Sequence, residues 1–242
     1  MILLVRGDRE YLRAPGEELQ TDLGVLTVPE DVEPGDRLET HLGEEFVVRE
    51  PRGPDLFDHF ERTGAPMMPR DVGLVIGMTG AAAGDRVLDA GTGTGVLAAY
   101  LGRIEATVRT YECDPEFAAV ARENMRLAGV EDRVDVRTGD VTDALDELAE
   151  GPGFDLCTLD TADAPSVVRR APDLLESGGF VVVYSPFVEG TRDAVAAAED
   201  VGLTDVETHE TIQRRMTFDE RGSRPDTRGV GHTGYLTVAR LL

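Results

Sequence analysis

The chain reads as an α/β protein. A seven-stranded, largely parallel sheet is covered by helices on both faces, ends in an antiparallel hairpin and follows a small β module. Three observations lead there. From Asp85 onward, short apolar runs alternate with segments of helical period. The alternation fails at the end, where Val206 to Arg215 and Gly234 to Leu242 are strand-like with only a polar loop between them. Before about residue 55 the apolar runs are short and are split by Pro15-Gly16 and Pro34-Gly35, which are turn signals.

Residues 1–55 form the expected N-terminal module, a barrel or curled sheet. Its candidate strands are Met1 to Val5, Gly24 to Val28, Arg37 to Leu42 and Glu45 to Val48. Residues 56–242 are the second unit, opening with a helical connection over 56–80. There Asp55 to Arg62 carries Leu56, Phe57 and Phe60, and after Pro66 and Pro69 an Asp71 N-cap is expected to open a helix with Val72, Val75, Ile76 and Met78. Strands are predicted near 86–90, 107–112, 133–138, 154–160 and 179–185, and helices near 94–103, 115–128, 141–149, 165–175 and 190–201. Asp114-Pro115 opens the second of these helices, proline being tolerated in a first turn.

The 242 residues suffice for one sizeable core and a small accessory domain. No apolar run approaches ~18 residues and no N-terminal signal pattern is present, so a soluble, cytoplasmic protein without membrane contact is expected. Cys113 and Cys157 lie in or beside predicted strands without metal-ligand spacing and read as reduced and structural. His41, His59, His209 and His232 form no zinc motif, so no metal is expected. The charge is extreme: 47 acids against 24 bases give −23, and every base is arginine, because the chain has no lysine.

The segment richest in chemistry is Val87-Leu-Asp-Ala-Gly-Thr-Gly-Thr-Gly95. An apolar strand ends in a carboxylate, a glycine-rich turn follows, and a helix opens at Val96. Glycines let the backbone turn sharply and approach a ligand, and a helix N-terminus adds unpaired N–H groups. The dinucleotide fingerprint G-x-G-x-x-G would place its third glycine where Val96 stands. Asp89 suits a cationic ligand such as the amino group of S-adenosylmethionine (SAM) and would repel a pyrophosphate. The loop alone is equally the tight turn of an ordinary βα unit.

The next strands sharpen the reading. Thr107 to Tyr111 runs into Glu112, twenty-one residues past Gly91, where an acid can accept from both hydroxyls of a ribose. Cys113 follows it. Val134 to Arg137 leads to Gly139-Asp140, where an acid can accept from an adenine amino group. The cofactor-binding set is therefore Asp89, Gly91, Thr92, Gly93, Thr94, Gly95, Val96, Glu112, Cys113, Asp140 and Asp160, with SAM as the cofactor. Asp160 ends the strand Phe154 to Leu159 and points over the same crevice, with capping of its own turn as the plain alternative.

With these residues in place, the chain resembles the tRNA (adenine-58-N1)-methyltransferase family in its archaeal and bacterial homotetrameric form. The likeness rests on Gln20 to Val25, Thr40 to Gly43, Arg62-Thr63, Met68-Pro-Arg-Asp71, Asp89 to Gly95, Leu159-Asp160 with Pro165, Tyr184-Ser-Pro186 and Gly231-His-Thr-Gly-Tyr-Leu236. Arg70 stands where the family usually has lysine, and Met67-Met68 where a bulkier, often aromatic pair is common. The resemblance implies a Rossmann-like class I methyltransferase sheet, a homotetramer, and methylation of adenine N1 in the tRNA T-loop. Archaeal members are also implied to act on position 57. It makes Asp160 the catalytic residue, accepting from the adenine N6 amino group.

A charge of −23 is unexpected for an RNA-binding protein. Residues 214–228 hold five arginines (214, 215, 221, 224 and 228) against Asp219, Glu220 and Asp226. Arg214, Arg215, Arg221 and Arg224, together with Arg70, Tyr184 and His232, are the candidate substrate-binding residues. A solvated loop of mixed charge, and a structural role for His232, are the plain alternatives. The composition also resembles that of proteins from salt-in halophiles, the haloarchaea among them. At ~1 M salt the Debye length is about 3 Å, so self-repulsion is screened while hydrated carboxylates keep the surface soluble. Three other functions stay open from sequence: a class I methyltransferase with another acceptor, a non-catalytic tRNA-binding subunit, and a NAD-dependent oxidoreductase.

Overall fold

The computed structural model describes residues 1–229 and 231–242. Its first strands are β1 (Ile2–Arg6), β2 (Arg9–Arg13), β3 (Glu18–Thr21), β4 (Gly24–Thr27), β5 (Arg37–Glu39) and β6 (Glu45–Arg49). They form a four-stranded antiparallel sheet in the order β2-β1-β6-β5 and a separate β3-β4 pair. Period-two alternation gives β1 two jobs. Ile2 and Leu4 pack with Leu19, Leu26, Val28, Phe46 and Val48 in the module's own core, while Leu3 and Val5 pack into the main body. The strands β2 and β3 were not predicted: their sequences REYLR and ELQT hold too little apolar alternation to signal a strand.

Two helices follow, α1 (Gly53–His59) and α2 (Pro69–Thr79). The first starts earlier than predicted: the Asp55 carboxylate accepts from the Arg52 N–H at 2.7 Å, tying the first turn back to its N-cap, with Pro54 inside that turn. The expected N-cap of α2 is corrected. Met68 occupies that position, Pro69 is N1, and Asp71 sits inside the first turn, buried.

The main body runs β7 (Arg86–Ala90), α3 (Val96–Arg103), β8 (Thr107–Glu112), α4 (Pro115–Ala128), β9 (Val134–Thr138), a 3-10 turn at Val141–Ala144, α5 (Leu145–Ala149), β10 (Phe154–Leu159), α6 (Ala164–Val168), α7 (Ala171–Leu174), β11 (Leu175–Ser185) and α8 (Val188–Asp200). It ends with β12 (Thr204–Glu210), β13 (Met216–Asp219), β14 (Gly222–Pro225) and β15 (Tyr235–Arg240). Asp114 caps α4 as read from sequence, its Oδ1 accepting from the N–H groups of Glu116 and Phe117, and Gly129 ends that helix in the left-handed region. The helix predicted over 165–175 is instead two short helices, with Pro165 and Pro172 in their first turns, and Leu175 already belongs to β11. The polar loop near the end holds the exposed hairpin β13-β14, which was not predicted.

The large sheet has seven strands in the order β12-β15-β11-β10-β7-β8-β9. Strands β9, β8, β7, β10 and β11 are parallel, and β15 is antiparallel to both β11 and β12. This is the class I methyltransferase arrangement, with the C-terminal antiparallel hairpin where the sequence placed it. Adjacent residues feed opposite faces. Val87, Leu156, Val182 and Val238 pack with α3 and α4, whereas Leu88, Cys157, Val181 and Ala239 pack with α6 and α8. The chain leaves β7 for β8 on one side, and β10 lies on the other, so a crevice opens between the ends of β7 and β10. Among the described residues no helix is long and apolar enough to cross a membrane.

Candidate active site

The glycine loop after β7 is held by backbone geometry that only glycine tolerates. Gly91 has φ +86°, and a Cβ there would collide with the carbonyl of Asp160. The two strand ends thus approach as closely as backbones can, and Asp160 N–H donates to the Ala90 carbonyl at 2.8 Å. Gly95, also left-handed, N-caps α3 and lets Met125 pack against it.

Three acids converge on this loop. Asp89 is buried, its two oxygens accepting from Thr110 and Thr158 at 2.5 Å each. Those threonines are its register partners on β8 and β10, so sheet pairing itself aims the carboxylate. Burial pushes its pKa up. Glu112 accepts from Gly93 N–H at 2.9 Å and from Asp114 N–H at 3.0 Å, which lock it against the loop. Asp160 is exposed at the mouth of the crevice, where the flanking walls desolvate its carboxyl in part. That, with the charges of Asp89 and Glu112, raises its pKa to about 7.

A cavity of about 290 Å³ lies among them. It is lined by every residue in the cofactor-binding set read from sequence, from Asp89 through Asp160. Five of the lining residues are acids (Asp89, Glu112, Asp140, Asp160 and Asp163), and none is basic. Such a cavity attracts a cation and rejects a pyrophosphate. A SAM-like ligand, with its sulfonium and ammonium charges, therefore fits the donor set, and a dinucleotide does not. Asp140 both lines the cavity and caps the 3-10 turn, its Oδ1 accepting from Thr142 N–H and Thr142 Oγ1. Cys113 is exposed at the cavity rather than in the core, whereas Cys157 is buried and its thiol pKa is pushed up.

The opposite wall, Thr63 to Met67 together with Phe117, lies outside the cofactor-binding set read from sequence, although Thr63 belongs to a segment that carries the family resemblance and Met67 to the pair that departs from it. Asn124, fully buried on α4, builds that wall. It accepts from Glu61 N–H at 3.1 Å and donates to the carbonyls of Glu61 at 3.0 Å and Thr94 at 2.9 Å. No periodic signal points to such a hub, although a half-exposed Phe117 just past Glu112 is a local hint.

A second cavity of about 560 Å³ adjoins the first at Asp160 and Thr161. Its far walls are Pro165, Val183, Tyr184, Pro186 and Phe187, with Glu189 and Asp193 at one side. Asp160 is thus shared between a cation-favouring cavity and a larger one with an aromatic wall.

The other candidate substrate residues lie elsewhere. The Arg70 side chain is folded inward, not presented to the crevice: its Nη2 donates to Thr233 Oγ1 at 3.0 Å and its Nε lies 3.6 Å from Asp71 Oδ1. His232 lines neither cavity. Its Nδ1 is 2.7 Å from Glu210 Oε1 and its Nε2 is 3.1 Å from the Pro186 carbonyl, two acceptors that together raise its pKa. Arg214 and Arg215 are exposed ahead of β13, and Arg221 and Arg224 lie on the β13-β14 hairpin, outside both cavities.

Residues 61–222 match the family described as the tRNA methyltransferase complex GCD14 subunit. The chain belongs to the GCD14 tRNA methyltransferase family. Within it, the chain is similar to a Methanocaldococcus jannaschii protein named tRNA (adenine(57)-N(1)/adenine(58)-N(1))-methyltransferase TrmI. They are 34% identical over 98% of this chain and 92% of that one. It is 31% identical, over 86% of its length and 81% of the relative's, to the tRNA (adenine(58)-N(1))-methyltransferase TrmI of Thermus thermophilus. Among solved structures it resembles TrmI from Aquifex aeolicus, with a TM-score of 0.75 and 25% identity over 100% of this chain and 96% of that one. A SAM-dependent O-methyltransferase from Thermotoga maritima, at TM-score 0.79 and 24% identity, covering 100% of this chain and 92% of that one, shares the fold. In this GCD14 member the Thr63–Met67 wall falls inside the matched region, beside the glycine loop.

Proposed function

We propose that this protein transfers a methyl group from SAM to N1 of adenine in the T-loop of tRNA, at position 58 and also at 57. The observation that carries the reading is Asp160, held between an acidic cofactor cavity and an aromatic-walled acceptor cavity. Membership of the GCD14 family and the names of the TrmI relatives support tRNA as the acceptor, and the M. jannaschii relative's name supports position 57.

Asp89 would hold the methionine ammonium, Glu112 the ribose hydroxyls and Asp140 the adenine amino group, with the backbone of Gly91 to Val96 closing on the ligand. When bound, the cofactor supplies a methyl group activated by its sulfonium charge. Neutral adenine N1 already carries a lone pair, so the enzyme's task is chiefly positioning. Asp160 accepts an N6–H bond, aligns N1, stabilises the charge that N1–methyl bond formation brings to the ring, and takes the proton the cationic base sheds from N6. The target base must leave its stack to enter the Tyr184 and Phe187 cavity.

In the same reading, residues 1–55 serve as an accessory module to a catalytic unit of residues 56–242. The arginines of the β13-β14 region contact RNA, and the protein works as a cytoplasmic, halophilic homotetramer. The test is methylation of an unmodified tRNA transcript with labelled SAM in about 2–3 M KCl, where exposed charges are screened, followed by nucleoside mapping. N1-methyladenosine in the T-loop, absent from a transcript with both target adenines replaced, is the expected result. Transfer to a protein or small molecule but not to RNA would select another class I acceptor.

A further inference from the structure

Two segments singled out in the sequence, Met68-Pro-Arg-Asp71 and Gly231-His-Thr-Gly-Tyr-Leu236, meet in the fold without touching the cofactor cavity. Thr233 Oγ1 donates to Asp71 Oδ2 at 3.0 Å and accepts from Arg70 Nη2 at 3.0 Å. The Arg70 and Asp71 side chains are only 8% and 5% exposed. A buried charged pair closing on one hydroxyl is a demanding arrangement, because each partner loses water that the others must replace.

That hydroxyl has a particular neighbour. The Tyr184 phenol lies beside Thr233, in the field of Asp71, Arg70 and Asp160 together. Gly234 packs so closely on the Tyr184 ring that a Cβ would come within 2.6 Å of Cζ. Tyr184 in turn lines the acceptor cavity and a small gap shared with Met67, Asp89 and Asp160. One residue earlier, His232 bonds the Pro186 carbonyl, so the run of residues 232–234 grips successive parts of the acceptor wall.

We propose that Asp71, Arg70 and Thr233 form a positioning device for the acceptor cavity, fixing the Tyr184 phenol opposite Asp160 so that the incoming base meets a preformed wall. They act through Tyr184 and touch neither cofactor nor base. The inference deepens the proposed function and rests on it for the acceptor's identity.

The test compares Thr233→Val, which keeps the shape and removes the hydroxyl, with Thr233→Ser, which keeps the hydroxyl. In Thr233→Val, kcat/KM for tRNA should fall about tenfold, the effect of one hydrogen bond to a charged group. SAM affinity should stay within about twofold, because uniform binding at the other cavity is untouched. Thr233→Ser should restore the acceptor kinetics. Amide hydrogen exchange across residues 184–190 should quicken in Thr233→Val and not in Thr233→Ser. Exchange unchanged in both variants, SAM affinity lost in step with acceptor kinetics, or no rescue by serine would each overturn the proposal. If wild-type protein methylates no tRNA, the proposed function fails, whereas the exchange comparison, which needs no acceptor, still decides the positioning claim.

Discussion

Asp160 joins the two cavities, and its ionisation couples them. A carboxyl raised to about 7 in the folded chain holds its proton more tightly than in the unfolded one. The stability it contributes is therefore full below about pH 4 and is lost as pH rises through about 7. Asp160→Asn should consequently melt above wild type at about pH 8, with a gap that narrows toward pH 5. A pH-independent gap would mean the carboxyl is not held this way. The same group links cofactor affinity to pH: a cation favours the ionised form, so SAM binding should release a proton and weaken below about pH 7. Calorimetry in two buffers of different ionisation enthalpy reads that proton directly, and Asp160→Asn should abolish it. Asn124 acts at the same scale. Removing its amide in Asn124→Ala leaves the buried Thr94 carbonyl unpaired, at about 1–3 kcal/mol, and frees the part-buried backbone of Glu61, and should weaken SAM binding by loosening the Thr63–Met67 wall.

At the scale of elements, the glycine loop is fixed where β7 and β10 end. Gly91→Ala faces both a left-handed φ and the Asp160 carbonyl, so neither backbone can yield without displacing Asp160. Loss of SAM binding together with a lowered Tm is expected by calorimetry and thermal melting, and an Ala variant that binds normally would refute the close approach. Elements of this kind were legible in the sequence because their signals are local: a strand ending in an acid, glycines, then helical period. The acids at 89, 112, 140 and 160 were found that way, and each lines the cavity. What escaped was non-local. Asp71 looks like an N-cap in sequence, but its partner Thr233 lies 162 positions away. In the hairpin β13-β14 the alternation of MTFD spans only four residues and its partner GSRP is polar, too little pattern to signal a pair of strands, and Met216 and Phe218 are exposed rather than packed on a core. Arg70 was read as an RNA contact because it is basic and near the site, and only packing shows that it turns inward.

The whole molecule carries −23 charges on 242 residues. Mutual repulsion among exposed carboxylates falls as the Debye length shrinks from about 10 Å at 0.1 M to about 3 Å at 1 M salt. Tm should therefore rise steadily with KCl from about 0.1 M to 3 M, and a Tm that does not change would remove the case for a halophilic protein. The parallel sheet with its two covered faces and the crevice at the β7/β10 switch follow from the alternation of apolar runs and helices. The joining of the N-terminal sheet to the main core through Leu3 and Val5 depends on contacts that the runs themselves do not announce.

The measurement that tests the central claim most directly is single-turnover methyl transfer to tRNA by Asp160→Asn, with cofactor and tRNA both saturating. A fall in rate of about 10²–10³-fold, the range for loss of one group that stabilises charge developing in the transition state, is expected, with N1-methyladenosine the product in wild type. A rate within about threefold of wild type would contradict the assignment, because an asparagine can orient the base but carries no negative charge to stabilise the ring as it becomes cationic.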